Sequence, residues 1–299
     1  MRHYMNALVA VLVAGCAVDK AAAPDSQSLS DADAQLVGRE VAGEVEDVTS
    51  DFTIAGLLVP EFPSAGIAAT AAEDLPPGSR PTINCPTITP FPPPDADGDH
   101  VPDDVTLSFT LPDCSFTRDG RTLEITGTVH ITDPSTTDFG VRVQFAAFQH
   151  KVTGPAGAFF LSRLNGTRQV LRSPAGFALI DSTTADRESS ERGTAQLVKA
   201  WVVSFVADAG AAVDNDRGLP TGDLTVNGSM TWTRGGESHA LAVTTVTPLH
   251  HDASCLSHPR FTSGELLVTK TGSRGTVTIH IVFNGCGVEP TVTVERTSA

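Results

Sequence analysis

The sequence predicts an all-β fold in which an antiparallel meander forms a curved sheet, a barrel or a sandwich. After residue 105, apolar residues alternate with polar ones in run after run, which is the period of a strand with one buried face. Turn pairs such as Asp119-Gly120 and Gly235-Gly236 separate these runs and are typical of hairpins. The chain lacks the alternation of strand and helix patterns that predicts a parallel sheet. We therefore expect about ten or eleven antiparallel strands.

Several runs define the expected strands. Alternation is clearest over residues 107–111, 123–131, 139–145, 224–232 and 277–283. Residues 197–206 would be apolar on both faces of a strand. They could form a central strand covered on both faces or a short helix, and their valine and aromatic content favours the strand. Asn165-Gly166 is a hairpin signal. Trp201 and Trp232 lie inside apolar runs, so we expect them in the core.

The chain begins with the pattern of an export signal. Basic Arg2 precedes an apolar run over residues 5–14, which is too short to span a membrane. The tripeptide over residues 13–15, directly before Cys16, resembles the lipobox of bacterial lipoproteins. The resemblance implies cleavage after Gly15, a palmitate-type lipid on Cys16 and attachment to the membrane through that lipid. Alanine after the cysteine implies the outer membrane, facing the periplasm or the cell surface. The alternative is an ordinary signal peptide with an incidental cysteine.

A helix is expected next. Ser30 is a typical N-cap, and apolar residues recur at helical spacing over residues 31–48. Gly38 and Gly43 weaken this prediction, because each costs a helix about 1 kcal/mol relative to alanine. The segment is expected to be either a short helix packed on the β domain or a half-ordered stalk. A helix that binds a partner is an alternative without support in the sequence.

A proline-rich stretch follows the helix. Eight of the 19 residues from 76 to 94 are proline, which fixes φ and removes the amide donor. This stretch therefore cannot be an interior strand or a helix, and we expect an extended spacer. The predicted organisation is a signal peptide (1–15), a flexible tether (16–30), a partly helical segment (31–75), a spacer with an Asp-rich loop (76–104) and the β domain (105–299).

The charge and the cysteines limit the function classes. A formal net charge of −15 repels DNA, RNA and anionic lipid headgroups, so we expect no nucleic-acid partner.

With Cys16 set aside, an even number of cysteines in an exported chain indicates two structural disulfides. Three connectivities are open. We favour nearest-neighbour pairing, which joins Cys85 to Cys114 and Cys255 to Cys286.

Residues 95–104 form an Asp-rich loop with calcium-ligand spacing. Alternate carboxylates on a tight loop converge on one point, and Ca²⁺ takes six to eight oxygen ligands. The candidate ligands are the side chains of Asp95, Asp97, Asp99 and Asp103 and the carbonyl of Val101. The segment resembles the loops of thrombospondin type 3 repeats. It departs from that pattern at His100, where glycine is usual, and at Thr106, where an EF-hand has glutamate. The alternative is a solvated acidic linker.

The loop and the runs that follow it resemble a family of exported, β-rich bacterial lipoproteins without an assigned activity. The resemblance rests on residues 95–109, Cys114, residues 126–134 and the closing turn at 283–287. It covers most of residues 90–299 with loose motifs. What it implies is an all-β fold and a place in the cell envelope.

No catalytic motif is present: the chain lacks Gly-x-Ser-x-Gly, His-Glu-x-x-His and a Walker loop. A zinc cluster is disfavoured, because oxidation of Cys255 removes the thiolate from a group with His250, His251, Asp252 and His258.

We expect a non-catalytic structural or binding module of the cell envelope, with an envelope protein, a glycan or a lipid as its partner. The alternative is a carrier of lipid or another hydrophobic ligand, as in lipoprotein-localisation factors. Its cavity would be lined by Phe139, Val143, Phe145, Trp232 and Phe283. An exported hydrolase is the third hypothesis.

Overall fold

A thirteen-stranded antiparallel sheet makes up most of the described structure. The computed structural model describes residues 28–50, 85–98, 101–118, 120–135, 140–173, 175–191, 193–211, 213 and 219–298. One helix, α1 (Asp31–Ser50), precedes the strands. The strands are β1 (Thr87–Thr89), β2 (Asp104–Phe109), β3 (Ser115–Arg118), β4 (Arg121–Thr132), β5 (Gly140–Thr153), β6 (Phe159–Ser173), β7 (Gly176–Ser189), β8 (Gly193–Ala207), β9 (Gly222–Arg234), β10 (Glu237–His251), β11 (Phe261–Gly272), β12 (Gly275–Phe283) and β13 (Thr291–Thr297).

The topology is a meander. From β4 onward every strand pairs with the next one along the chain, β2 pairs with β1 and β4, and β3 pairs with β4. Within the described residues the edge strands β1 and β13 do not pair with each other, so the sheet stays open. The all-β prediction is confirmed, and of the three arrangements left open the structure shows the open curved sheet. The strands are more numerous than expected because β1 and β3 are too short to show alternation.

The two faces of the sheet differ in burial. Along β8, Leu197, Trp201 and Phe205 are almost fully buried on what we call the inner face, whereas Val202 and Val206 on the outer face are 55% and 61% exposed. The prediction of a strand over residues 197–206 is confirmed. The prediction that both of its faces are covered is wrong, because α1 packs against the inner face alone. Trp201 and Trp232 are core residues, as expected.

Asn165-Gly166 does not form a hairpin. The pair lies inside β6, opposite an irregularity in β5 between Phe145 and Phe148. The Asn165 side-chain oxygen accepts a hydrogen bond from the Ala147 amide at 2.7 Å. A Cβ on Gly166 would lie 2.2 Å from a carbonyl oxygen of β7, so glycine is required by close backbone approach. The Asn-Gly signal was read as a turn but serves a β-bulge.

The sheet begins inside the predicted spacer. Thr87–Thr89 pairs with β2, with Thr87 opposite Ser108. This strand lies at the edge of the sheet. Prolines beside it are tolerated there, because no further strand needs a backbone N–H donor on its open side. The spacer is therefore partly incorporated into the β domain.

Helix α1 begins as predicted and ends two residues later than the predicted boundary at 48. The Ser30 side chain caps it by accepting a hydrogen bond from the Asp33 amide at 3.1 Å. Val37, Val41 and Val45 have no exposed surface and form the apolar stripe that faces the sheet.

The two glycines of α1 predict opposite responses to alanine. A Cβ on Gly43 meets nothing within 4 Å, whereas a Cβ on Gly38 would lie 2.5 Å from Val292 Cγ1. We expect Gly43→Ala to raise the free energy of unfolding by about 0.5–1 kcal/mol through helix propensity. In Gly38→Ala the clash with Val292 cancels or reverses that gain. Urea unfolding of the two variants measures the difference, and equal gains would contradict the close contact of α1 with β13.

Candidate functional site

The most unusual site in the described structure is a cluster of charges buried between α1 and the inner face. Glu44 of α1 accepts a hydrogen bond from Arg187 of β7 on one carboxylate oxygen, and from Lys199 Nζ of β8 at 2.5 Å on the other. Lys199 Nζ also lies 3.2 Å from Asp181 Oδ2, and Arg168 Nε lies 3.4 Å from the same oxygen. The five groups form a continuous chain of ion pairs.

Sheet register explains how strands bring these groups together. Arg168 of β6 is directly opposite Asp181 of β7, and Thr183 of β7 is opposite Lys199 of β8. Cross-strand partners share a face, so all four side chains point inward. The Thr183 hydroxyl donates a 2.6 Å hydrogen bond to Asp181 Oδ1.

In this charge cluster, burial and the neighbouring charges shift pKa values in opposite directions. Burial raises the pKa of Asp181, but Lys199 and Arg168 together with the Thr183 hydroxyl hold it below its usual value. Burial lowers the pKa of Lys199, and Asp181 partly offsets that effect. Burial lowers the pKa of Arg187, and the negative charge of Glu40 offsets part of that effect. Because Asp181 and Lys199 are almost fully buried, solvent screens the ion pair between them only weakly.

Further polar contacts fix α1 along its length. The Trp232 indole nitrogen of β9 donates to Glu40 at 2.9 Å. At the other end of the helix, Glu46 accepts from the Arg260 amide at 2.8 Å and contacts His258 at 2.9 Å. Gln35 donates to the Val292 carbonyl of β13 at 3.1 Å. The acidic residues of α1 thus meet a donor-rich inner face.

The N-terminal end of α1 is tied to the last strand. Arg296 of β13 donates to the Leu29 carbonyl at 2.6 Å and to Asp31 Oδ1 at 2.6 Å. Leu29 itself has no exposed surface. The chain therefore enters the fold through a fixed point at β13.

The charge cluster was not predicted from the sequence. A weak signal was present: Lys199 interrupts the apolar run at an inward phase, between Leu197 and Trp201, and Asp181 follows the inward Leu179 in β7. Glu44 gave no such signal, because its partners are 143 and 155 residues away.

The predicted calcium loop is only partly covered by the described residues. Asp95 accepts a hydrogen bond from the Gly98 amide at 2.8 Å, Asp103 accepts one from the Ala96 amide at 3.3 Å, and Val101 is buried. Asp97 is exposed, and Asp99 lies outside the described residues. Among the residues that are described, no group of three or more His, Cys, Asp or Glu side chains is placed to hold a metal. Calcium binding by this loop stays a prediction.

The cysteines lie as the favoured pairing expects. Cys85 and Cys114 form one disulfide with a Cα–Cα distance of 5.2 Å, and Cys255 and Cys286 form the other at 5.8 Å. Both distances are ordinary for a disulfide. The residues weighed for zinc are used otherwise, since Cys255 is in a disulfide and His258 contacts Glu46. Cys16 lies outside the described residues.

The residues proposed to line a ligand cavity are packed. Val143, Phe145, Trp232 and Phe283 are at most 2% exposed and belong to one continuous core. Phe139 lies outside the described residues. Two grooves of about 350 and 380 Å³ are lined by other residues, among them Arg163 and Arg234 in one, Lys270 and Arg274 in the other.

His150 on the inner face predicts acid sensitivity. Burial lowers the pKa of its imidazole from the usual 6.5 to about 4. As the pH falls below 6.5 the unfolded chain binds a proton that the folded protein does not, so stability is lost down to pH 4. Between pH 7.5 and 4.5 we expect this group to remove about 2–3 kcal/mol of unfolding free energy. Urea unfolding at both values checks this, and an unchanged pH dependence in His150→Gln would contradict it.

Comparison of the chain with protein-family models, with curated proteins and with solved structures found no match. No helix among the described residues is both long and apolar enough to cross a membrane.

Proposed function

We propose that the protein is a non-catalytic structural or binding module of the cell envelope, anchored to the outer membrane by a lipid on Cys16. The observation that supports this most is the position of α1. A curved sheet would offer a ligand or substrate site on its inner face, and the chain's own helix lies on that face with contacts to β7, β8, β9, β12 and β13. The charges there are paired with one another, so their role in this proposal is to hold the helix.

The way the chain enters the fold supports an anchoring role. Tether residues 16–30 lead directly into α1, and Arg296 fixes that entry point to β13. Glu44 then locks the helix to β7 and β8. A load on the lipid would pass through α1 into the middle of the sheet. The two disulfides fit an oxidising, exported compartment.

Calcium has a structural role in this proposal. Asp95, Asp97, Asp99 and Asp103 with the Val101 carbonyl would bind Ca²⁺ and brace the junction before β2. A melting temperature that rises with calcium and falls with a chelator is the expected result, because a ligand of the folded state stabilises it.

Native mass spectrometry of the exported chain, purified without added lipid, distinguishes the structural module from the carrier. We expect one or two protein chains without a bound small molecule, apart from the lipid on Cys16 and any calcium, with two disulfides in each chain. A co-purified lipid or small molecule seated in the fold would instead favour the carrier. Loss of the acyl mass in Cys16→Ser tests the anchor separately, and an unmodified Cys16 in the native chain would overturn it.

The carrier of lipid or another hydrophobic ligand is the second candidate. One observation favours it: the inner face combines apolar side chains with the cationic Arg187 and Lys199, and α1 covers both. As a carrier the protein would have to release α1 and lose the ion pairs of Glu44. An exported hydrolase remains the third hypothesis, with no residues assigned to it.

A further inference from the structure

The outer face of the sheet carries a broad region without ionisable side chains. We call it the outer patch. It consists of the outward-facing residues in the middle of four adjacent strands: even-numbered residues in 178–184, 198–206 and 240–246, and odd-numbered residues in 225–231. Within these ranges the outward residues are alanine, serine, threonine, asparagine, valine and isoleucine.

The aliphatic members of the outer patch are well exposed. Val206, Val202 and Val246 are 61%, 55% and 52% exposed, and Ile180 and Val198 are 45% and 39% exposed. Ile180 and Val202 are cross-strand partners, so they form one contiguous apolar ridge. Contiguous exposed apolar area of this kind marks interaction surfaces more often than scattered residues do.

Charges reappear around the outer patch. Asp186 and Glu188 lie beyond it at one end of β7, and Asp223 lies beyond it at the start of β9. Farther across the sheet, His280 of β12 contacts Glu265 at 2.7 Å. The neutrality is therefore a local property of the patch in a chain whose net charge is −15.

This distribution of charge selects among partners. Nucleic acid and anionic membrane would be repelled by the chain and find no cation in the patch. A glycan would find no aromatic ring there on which to stack. Two copies of the chain repel each other through their acidic surfaces, and a neutral face is where they can approach without opposing like charges.

Shape also suits a second copy. Small residues such as Ala200 and Ala242 lie among β-branched ones such as Val198 and Val202, which gives the face shallow ridges and grooves. Two such faces can interdigitate at the spacing of about 10 Å that stacked sheets adopt. Four strands at about 4.8 Å and six or more residues of length give the patch roughly 400 Å². A standard interface buries about 800 Å² on each partner. The outer patch would be the core of such an interface, and the polar residues around it would be the rim.

We propose that the outer patch is a self-association surface through which two copies of this chain pack sheet against sheet. This deepens the proposed structural role by naming the partner. The geometry is isologous, because the same patch is used by both copies and closes the assembly at a dimer.

Photo-crosslinking of the full-length chain in cells tests the proposal. Two copies with different epitope tags are co-expressed, each with Val202 replaced by photo-reactive p-benzoylphenylalanine. We expect irradiation to give a crosslinked product that carries both tags. The matched control has the photo-reactive group at Leu256, an aliphatic residue that is 94% exposed outside the patch, and should give no such product.

A charge in the patch should break the contact. Ile180→Asp is expected to reduce the doubly tagged product about tenfold or more, because the dimer would bury two unpaired carboxylates. Ser204→Lys is a second variant with the same expected loss, and unchanged melting temperatures show that both still fold. A product with a different protein, with a glycan or lipid, or no product at Val202 would overturn the dimer.

The two proposals fail in different ways. A missing crosslink removes the dimer and leaves the structural role intact. A ligand found by native mass spectrometry removes that role and leaves the dimer intact.

Discussion

Glu44→Gln is expected to lower the free energy of unfolding by about 3–5 kcal/mol, the cost of breaking a buried ion pair from one side. The substitution keeps the size of the side chain, so no cavity contributes. It leaves Lys199, which is 2% exposed, and the partly buried Arg187 with one anionic partner fewer. Urea unfolding at pH 7 measures the change.

A residue on the same helix provides the control. Arg39 is 66% exposed and lies 3.9 Å from Glu289, so Arg39→Gln should change the unfolding free energy by less than about 0.5 kcal/mol. A loss in Glu44→Gln no larger than in Arg39→Gln would show that α1 is not held by the charge cluster.

Removing the Cys255–Cys286 disulfide is expected to cost about 3–4 kcal/mol. The bond closes a loop with a sequence separation of 31, and the chain-entropy model assigns that amount to a loop of such length. The double substitution Cys255→Ser and Cys286→Ser should show the loss in urea unfolding.

The second disulfide is a matched comparison. Cys85 and Cys114 have a separation of 29, so their double substitution should cost nearly the same if unfolded-state entropy dominates. A loss below about 1 kcal/mol for both pairs would contradict a bracing role for the disulfides.

The strands were predictable because alternation is a local pattern. Each strand from β4 to β12 pairs with its chain neighbour, so a period of two and a turn signal are enough to place it. Asn165-Gly166 misled because the same dipeptide suits a hairpin and a bulge. Exposure of Val198, Val202 and Val206 could not be foreseen, because hydrophobicity in a strand does not show whether a second layer covers it.

The position at which α1 docks on the sheet could not be predicted. Helical spacing indicated the element, and Ser30 indicated where it starts, but its partners lie up to 265 residues away along the chain. Charged residues such as Asp181 and Arg168 read as surface positions until the register places them on the inner face. Tertiary context, which sequence patterns do not contain, determines both results.

Hydrogen–deuterium exchange of the folded protein tests whether α1 is a permanent part of the core. We expect amides of α1 from Ala34 to Val45 to exchange as slowly as those of β8 and β9, with and without phospholipid vesicles. Fast exchange confined to α1, or exchange that vesicles accelerate, would contradict it and identify α1 as a removable lid.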